Sequence, residues 1–223
     1  MAINRALDRT AMTAAQAQLA RVEAEGCVDH PYRRVLLAAS GPNSARDLAD
    51  CVHLFCSLYG RYPGLIEIAL NNCPAGPVRD WLKEASDAYE RERLYLVRLT
   101  AAVGPLPSTP GSAETEAALV GQRHAIETLA KSERRGCALG AATALMGDWP
   151  AIRAVLDRAA DRIGMQKPVL TLPDTDSIVR VIGDGTDGAA SERALGFGGE
   201  QLLLQNRGLF DLLEARAAAR GDF

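Results

Sequence analysis

Apolar residues recur along this chain at the three- and four-residue spacing of a helix face, and glycines and prolines cut that pattern into segments. A first helix is predicted from Thr13 to Glu25, stopping at Gly26. After the His30-Pro31 break a short apolar helix is expected over Tyr32 to Ala39, closed by Ser40-Gly41-Pro42. Ser44 reads as the N-cap of a helix carrying Leu48, Val52, Phe55 and Tyr59 on one face, and Leu65 to Leu70 forms a shorter piece beyond Pro63-Gly64.

The clearest element starts at Pro77, a residue suited to the first helical turn, and runs to Val103 before Gly104-Pro105. It would be about 40 Å long. Alternating steps of four and three place Val78, Leu82, Ala85, Tyr89, Glu92, Leu96, Leu99 and Val103 on one seam, a pattern that fits side-by-side helix packing. A second long helix is expected from the N-cap Ser112 to Met146, with Leu119, Ile126, Ala130, Cys137, Ala141 and Ala144 along its stripe. Gly136 and Gly140 predict an unusually close helix crossing near its end. Asp148 reads as the cap of the next helix, with Pro150 in the first turn and Ile152, Val155, Leu156, Ala159 and Ile163 facing inward up to Gly164.

From Lys167 to Gly188 the pattern changes to the β-branched runs Val169-Leu170-Thr171-Leu172 and Ile178-Val179-Arg180-Val181-Ile182, which suggest an extended arm or a small hairpin. Ser191 opens a final amphipathic segment with Leu195, Leu202, Leu203, Leu209, Phe210 and Leu213 on its apolar face. Either the rest of the chain or the same helix of a second subunit must cover that face. The expected fold is therefore all-α: an antiparallel helical bundle over residues 1–165, followed over 166–223 by an arm and a C-terminal amphipathic helix.

Composition agrees with a compact helical chain. Its 223 residues are 48% hydrophobic and 24% charged, far from the disordered range, and with only 5% aromatics the core must be built largely from Leu, Val, Ile and Ala. A net charge of −3 supplies no general attraction for phosphate backbones, so no nucleic-acid partner is expected. Arg33-Arg34 and Lys131 with Arg134-Arg135 have acidic neighbours and read as solvated helix faces. The opening MAINRALDRT lacks the apolar core of a secretory signal, and no run approaches the length of a bilayer span, so a cytoplasmic protein with no membrane partner is expected. The five cysteines are odd in number and scattered, which favours reduced thiols used as small apolar side chains.

Two features could carry chemistry. Gly183-Asp184-Gly185-Thr186-Asp187-Gly188 matches a dinucleotide-binding glycine pattern, yet only one more helix follows it and its aspartates would repel a pyrophosphate, so it reads as an Asp-Gly turn. More telling are charges on apolar seams. Glu92 lies between Tyr89 and Leu96, and Glu133 between Ala130 and Cys137, while Asp50 and His53, like His124 and Glu127, stand one turn apart. Acid and imidazole at this spacing, with inward glutamates on two helices, are what a carboxylate-bridged metal centre in a bundle requires. The alternative is that Glu92 and Glu133 pair with Arg91, Arg93, Arg134 or Arg135.

With Glu92, Glu133 and Asp50-x-x-His53 on long helices, the stretch from Ser44 to Gly164 resembles the ferritin-like superfamily. It departs from that family in starting one pair with Asp and in reversing the other as His124-x-x-Glu127. The resemblance implies a four-helix core and, as metal ligands, Glu92, Glu133, His124, Glu127, Asp50 and His53 holding iron or manganese for redox chemistry. Gly136-x-x-x-Gly140 is also similar to the haem-oxygenase-like helical fold, with His30 or His53 as the implied proximal histidine. Two functions follow: a non-enzymatic bundle that self-associates as a homodimer, or binds another protein, through its C-terminal helix; or a bundle that holds a metal or small ligand.

Overall fold

The structure, a computed structural model, describes residues 12–38, 40–41 and 43–221. The opening segment read for a signal, the end of the second helix at Ala39, and Pro42 lie outside the described residues. Among the described residues every regular element is helical: α1 (Ala14–Glu25), α2 (Pro31–Ala38), α3 (Ser44–Tyr59), α4 (Leu65–Asn72), α5 (Pro77–Ala102), α6 (Ser112–Ala130), α7 (Cys137–Arg162), α8 (Thr175–Gly185) and α9 (Ala189–Arg220).

Local chemistry accounts for the helix ends. Thr13 and Gln16 form a reciprocal capping box on α1, and Asp174 accepts from the Ser177 amide at 2.8 Å to start α8. Glu67 reaches back to the Gly64 amide at 2.7 Å to start α4. Asn43, not Ser44, occupies the cap position of α3, and Ser44 donates instead to the Gly41 carbonyl at 2.6 Å. The α5 seam is as the spacing predicts: Leu82, Ala85, Tyr89, Glu92, Leu96 and Leu99 are buried, with Val78 and Val103 half-buried at its ends.

The centre of the fold is α7, which touches each of the other eight helices. Its first half, Cys137-Ala-Leu-Gly-Ala-Ala-Thr-Ala-Leu-Met146, has no charged side chain, and a helix apolar on all sides belongs in the interior. Trp149 is fully enclosed there, edge-on to the rings of Tyr89 and Tyr59 at 4.8 and 5.7 Å.

This central helix corrects two expectations. The helix predicted from Ser112 to Met146 is two helices, because the chain breaks over 131–136 and Gly136 turns it at φ +96°. Asp148 is no cap and Pro150 begins nothing, since α7 runs straight through both. An interior proline loses one backbone hydrogen bond, a defect that burial of most of α7 outweighs. Ile163 caps the C-terminal end, exposed rather than inward.

The hairpin alternative for Lys167 to Gly188 is also replaced. Residues 165–174 form an irregular arm, and α8 follows, burying Ile178, Val181 and Ile182 at helical spacing. β-Branched residues suggest a strand locally, but their three-and-four spacing gives this run one buried face once a helix forms.

α9 packs most extensively along α7, and also on α1, α3 and α6. The predicted close crossing is present. A Cβ on Gly140 would lie 1.9 Å from the Leu195 carbonyl oxygen, and one on Gly198 would lie 2.0 Å from that of Cys137, so the two backbones meet where neither can carry a side chain. Leu195, Leu202, Leu203, Leu209, Phe210 and Leu213 are all buried within the same chain, so the apolar stripe of α9 is covered by its own fold. No helix among the described residues is long and apolar enough to cross a membrane.

Candidate functional site

The six residues proposed as metal ligands do not gather. Glu92 is buried, accepts from Arg153 Nη1 at 2.7 Å and from Trp149 Nε1 at 2.9 Å, and so faces a cation on α7 rather than another carboxylate. Arg153 also binds Asp157 and the Pro168 carbonyl and lies 4.1 Å from the Tyr95 ring centre. A buried carboxylate needs such compensation. For Glu92 the ion pair expected as the alternative is present, but its partner is Arg153 of α7 and not Arg91 or Arg93.

Asp50 is enclosed by arginines of α9: Arg216 donates from Nε and Nη2 at 2.8–3.1 Å and Arg220 from Nη1 at 2.6 Å. Arg216 and Arg220 also bind Thr109, Arg216 binds Thr115, and Arg220 binds Asp47. His53, one turn further on α3, points elsewhere and places Nε2 2.8 Å from the Gly104 carbonyl, tying down the end of α5. His124 is exposed on α6, and Glu127 is exposed and paired with Lys131 at 3.2 Å. Glu133 lies in the turn between α6 and α7, off any helix face. Among the described residues no three His, Cys, Asp or Glu side chains stand where they could share an ion.

Other buried polar groups are also held, although the Tyr89 hydroxyl, Arg93 Nε and Gln122 Oε1 are buried without a hydrogen-bond partner among the described residues. His30 caps α2: its Nδ1 accepts from the Tyr32 amide at 3.2 Å, which leaves Nε2 protonated and donating to Asp211 at 3.0 Å. Both ring nitrogens of His30, one of the two histidines the haem-oxygenase-like resemblance implied, are therefore engaged. Asp148 accepts from the Cys27 amide at 2.7 Å and from Asn206 at 2.8 Å, and Tyr59 donates to Asn206. Burial first, and Asp148 second, push the Cys27 thiol up, and burial holds the Tyr59 phenol well above its ordinary range. Protonated and enclosed, neither is a nucleophile. All five cysteines are free thiols.

The open chemistry lies on the surface, at the turn that sequence reading did not anticipate. A trough of about 580 Å³ is walled by the corner between α4 and α5, by the turn between α6 and α7, and by the last residues of α8. Arg79 builds the first wall by donating to the Leu70 and Cys73 carbonyls at 2.5 and 2.6 Å, closing the end of α4. The floor is Val78, Leu82, Ala130, Ala138 and Leu139; the rim carries Glu133, Arg134, Arg135 and Asp184. Burial raises the pKa of the wall's Cys73 thiol, an effect Arg79 partly offsets.

Arg134 and Arg135 also line a second cavity, a notch of about 470 Å³, together with Asp187, Ser191, Arg193, Ala194 and Phe197. Arg135 pairs with Asp187, and Arg134 lies 6.0 Å from the centre of the Phe197 ring. Arg134-Arg135 was visible in the sequence only as a basic pair; the nearby Gly136 was the available sign that it stands in a turn and not on a helix face.

The model of a family of unknown function (DUF6975) matches residues 22–221. No curated protein and no solved structure matches the chain.

Proposed function

The chain belongs to the DUF6975 family of unknown function, and we propose that it is a non-enzymatic binding scaffold whose trough holds a small, largely apolar molecule over Val78, Leu82 and Leu139. The observation that carries this is the trough's form: a volume in the range of small-molecule sites, an apolar floor, and charged side chains from only two of its walls, the turn between α6 and α7 and the end of α8. The buried acids and thiols support binding over catalysis, because arginines, amides or their own protons already occupy them. Titration with N-phenylnaphthylamine, a neutral dye that brightens in apolar sites, tests the reading. Saturable brightening is expected in the wild-type chain and its loss in Val78→Trp, whose indole fills the floor; a dye that binds both equally rules the trough out.

A second reading, self-association as a homodimer, has one observation in its favour. Phe197 and Leu204 are exposed, seven residues apart on the outward face of α9. Sizing chromatography should give a dimer that Phe197→Glu with Leu204→Glu converts to monomer; a monomeric wild type removes this reading.

A further inference from the structure

The notch beside the trough carries a charge imbalance that the fold does not itself resolve. Arg134, Arg135 and Arg193 line it against the single carboxylate of Asp187. Arg135 takes that carboxylate, while neither Arg134 nor Arg193 forms an ion pair among the described residues. The positive excess is confined to the notch, since the rim of the adjoining trough adds Glu133 and Asp184. Its position also runs against the usual electrostatics of helices. Arg134 and Arg135 immediately precede α7, Arg193 lies early in α9, and the start of a helix is its positive end, where cations are disfavoured. Both helices begin at glycines without a side-chain cap; the first turn of α7 contains no acid, whereas that of α9 carries Glu192 beside Arg193, so the conflict is sharpest at α7.

We infer that this notch receives the anionic head group, a phosphate or carboxylate, of a monomeric amphiphile whose apolar part lies in the trough. The inference rests on the binding reading above and adds the ligand's charge and its orientation. Arginine forks match two oxygens of either head group, and the exposed Phe197 ring gives the notch an apolar wall. Because Arg134 and Arg135 belong to both trough and notch, one molecule can occupy the two together.

Calorimetric titration of the full chain at low salt, with octyl phosphate and with octanol, tests the inference. Octyl phosphate should bind at least about tenfold more tightly, and added sodium chloride should shrink that advantage. In Arg134→Ala, Arg135→Ala, Arg193→Ala the phosphate should fall to the level of octanol, whose own binding stays unchanged. Equal binding of the two ligands to the wild type, or an advantage that survives loss of the three arginines, overturns the head-group inference while leaving the trough reading in place. If neither ligand binds, both readings fall. Arginine-dependent sedimentation with phosphatidylglycerol vesicles, without binding of free octyl phosphate, would assign the notch to a membrane surface and overturn the inference as well.

Discussion

The two ends of α9 use the same side chain in opposite ways. At the C-terminal end Arg216 and Arg220 are buried to 5% and 3% side-chain exposure and face Asp50 and Asp47, with Thr109 and Thr115 taking remaining donors. At the N-terminal end Arg193 meets Arg134 and Arg135 in an open notch with one aspartate among them. Burial forces compensation, since a desolvated charge without a partner costs several kcal/mol, whereas solvent tolerates an unmatched one. The matched cluster is thus part of the fold, and the unmatched one, beside the acid-free start of α7, is the site proposed for an anionic head group.

The contrast can be broken first at its buried end. Asp50→Ala leaves two guanidinium groups facing one another and should cost about 3–5 kcal/mol in urea unfolding, a large share of the whole stability of a domain. A change under about 1 kcal/mol would mean that this cluster is solvated and the two ends of α9 are alike. Next comes the crossing that joins them: Gly198→Ala drives a Cβ into the Cys137 carbonyl 2.0 Å away and should cost about 2–3 kcal/mol. An unaltered midpoint would show that α7 and α9 separate easily.

The middle of α9, where Tyr59 bonds Asn206, is sharpened by pH. Burial chiefly holds the Tyr59 and Tyr89 phenols above their ordinary value of 10.0 and the Cys51 thiol above 9.0. The unfolded chain therefore releases these protons first. Stability is full below about pH 9 and declines as pH rises, by about 1.4 kcal/mol per group for each unit beyond its ordinary value. Urea midpoints that stay level between about pH 8 and about pH 10.5 would contradict this. The smallest effect belongs to the open end: Arg134→Glu places acid at the start of α7 and should raise stability by about 0.5 kcal/mol. A loss would show that Arg134 holds the fold together.

Much of the fold was legible because amphipathic helices announce themselves. The α5 seam, the α9 stripe and the Gly140 crossing all follow from spacing and residue size. Reading failed where periodicity was absent, or where β-branched propensity was set above it, as in the run that forms α8. The first half of α7 is apolar all round, so nothing marked it as separate from α6 or continuous past Pro150. The candidate metal set failed for a related reason: Glu92 and Asp50 are on buried faces as predicted, but the partners that neutralise them, Arg153 and Arg216, lie 61 and 166 residues away in sequence. The trough was not legible at all, since it forms where three connections meet and its floor residues carry no common spacing.

Urea unfolding of Arg216→Ala beside Arg134→Ala, Arg135→Ala, Arg193→Ala tests the central claim most directly. One arginine removed from the matched cluster should cost about 3 kcal/mol or more, while three removed from the notch should leave stability within about 0.5 kcal/mol of the wild type. Comparable losses in the two chains would contradict the division between arginines that build the fold and arginines that await a ligand.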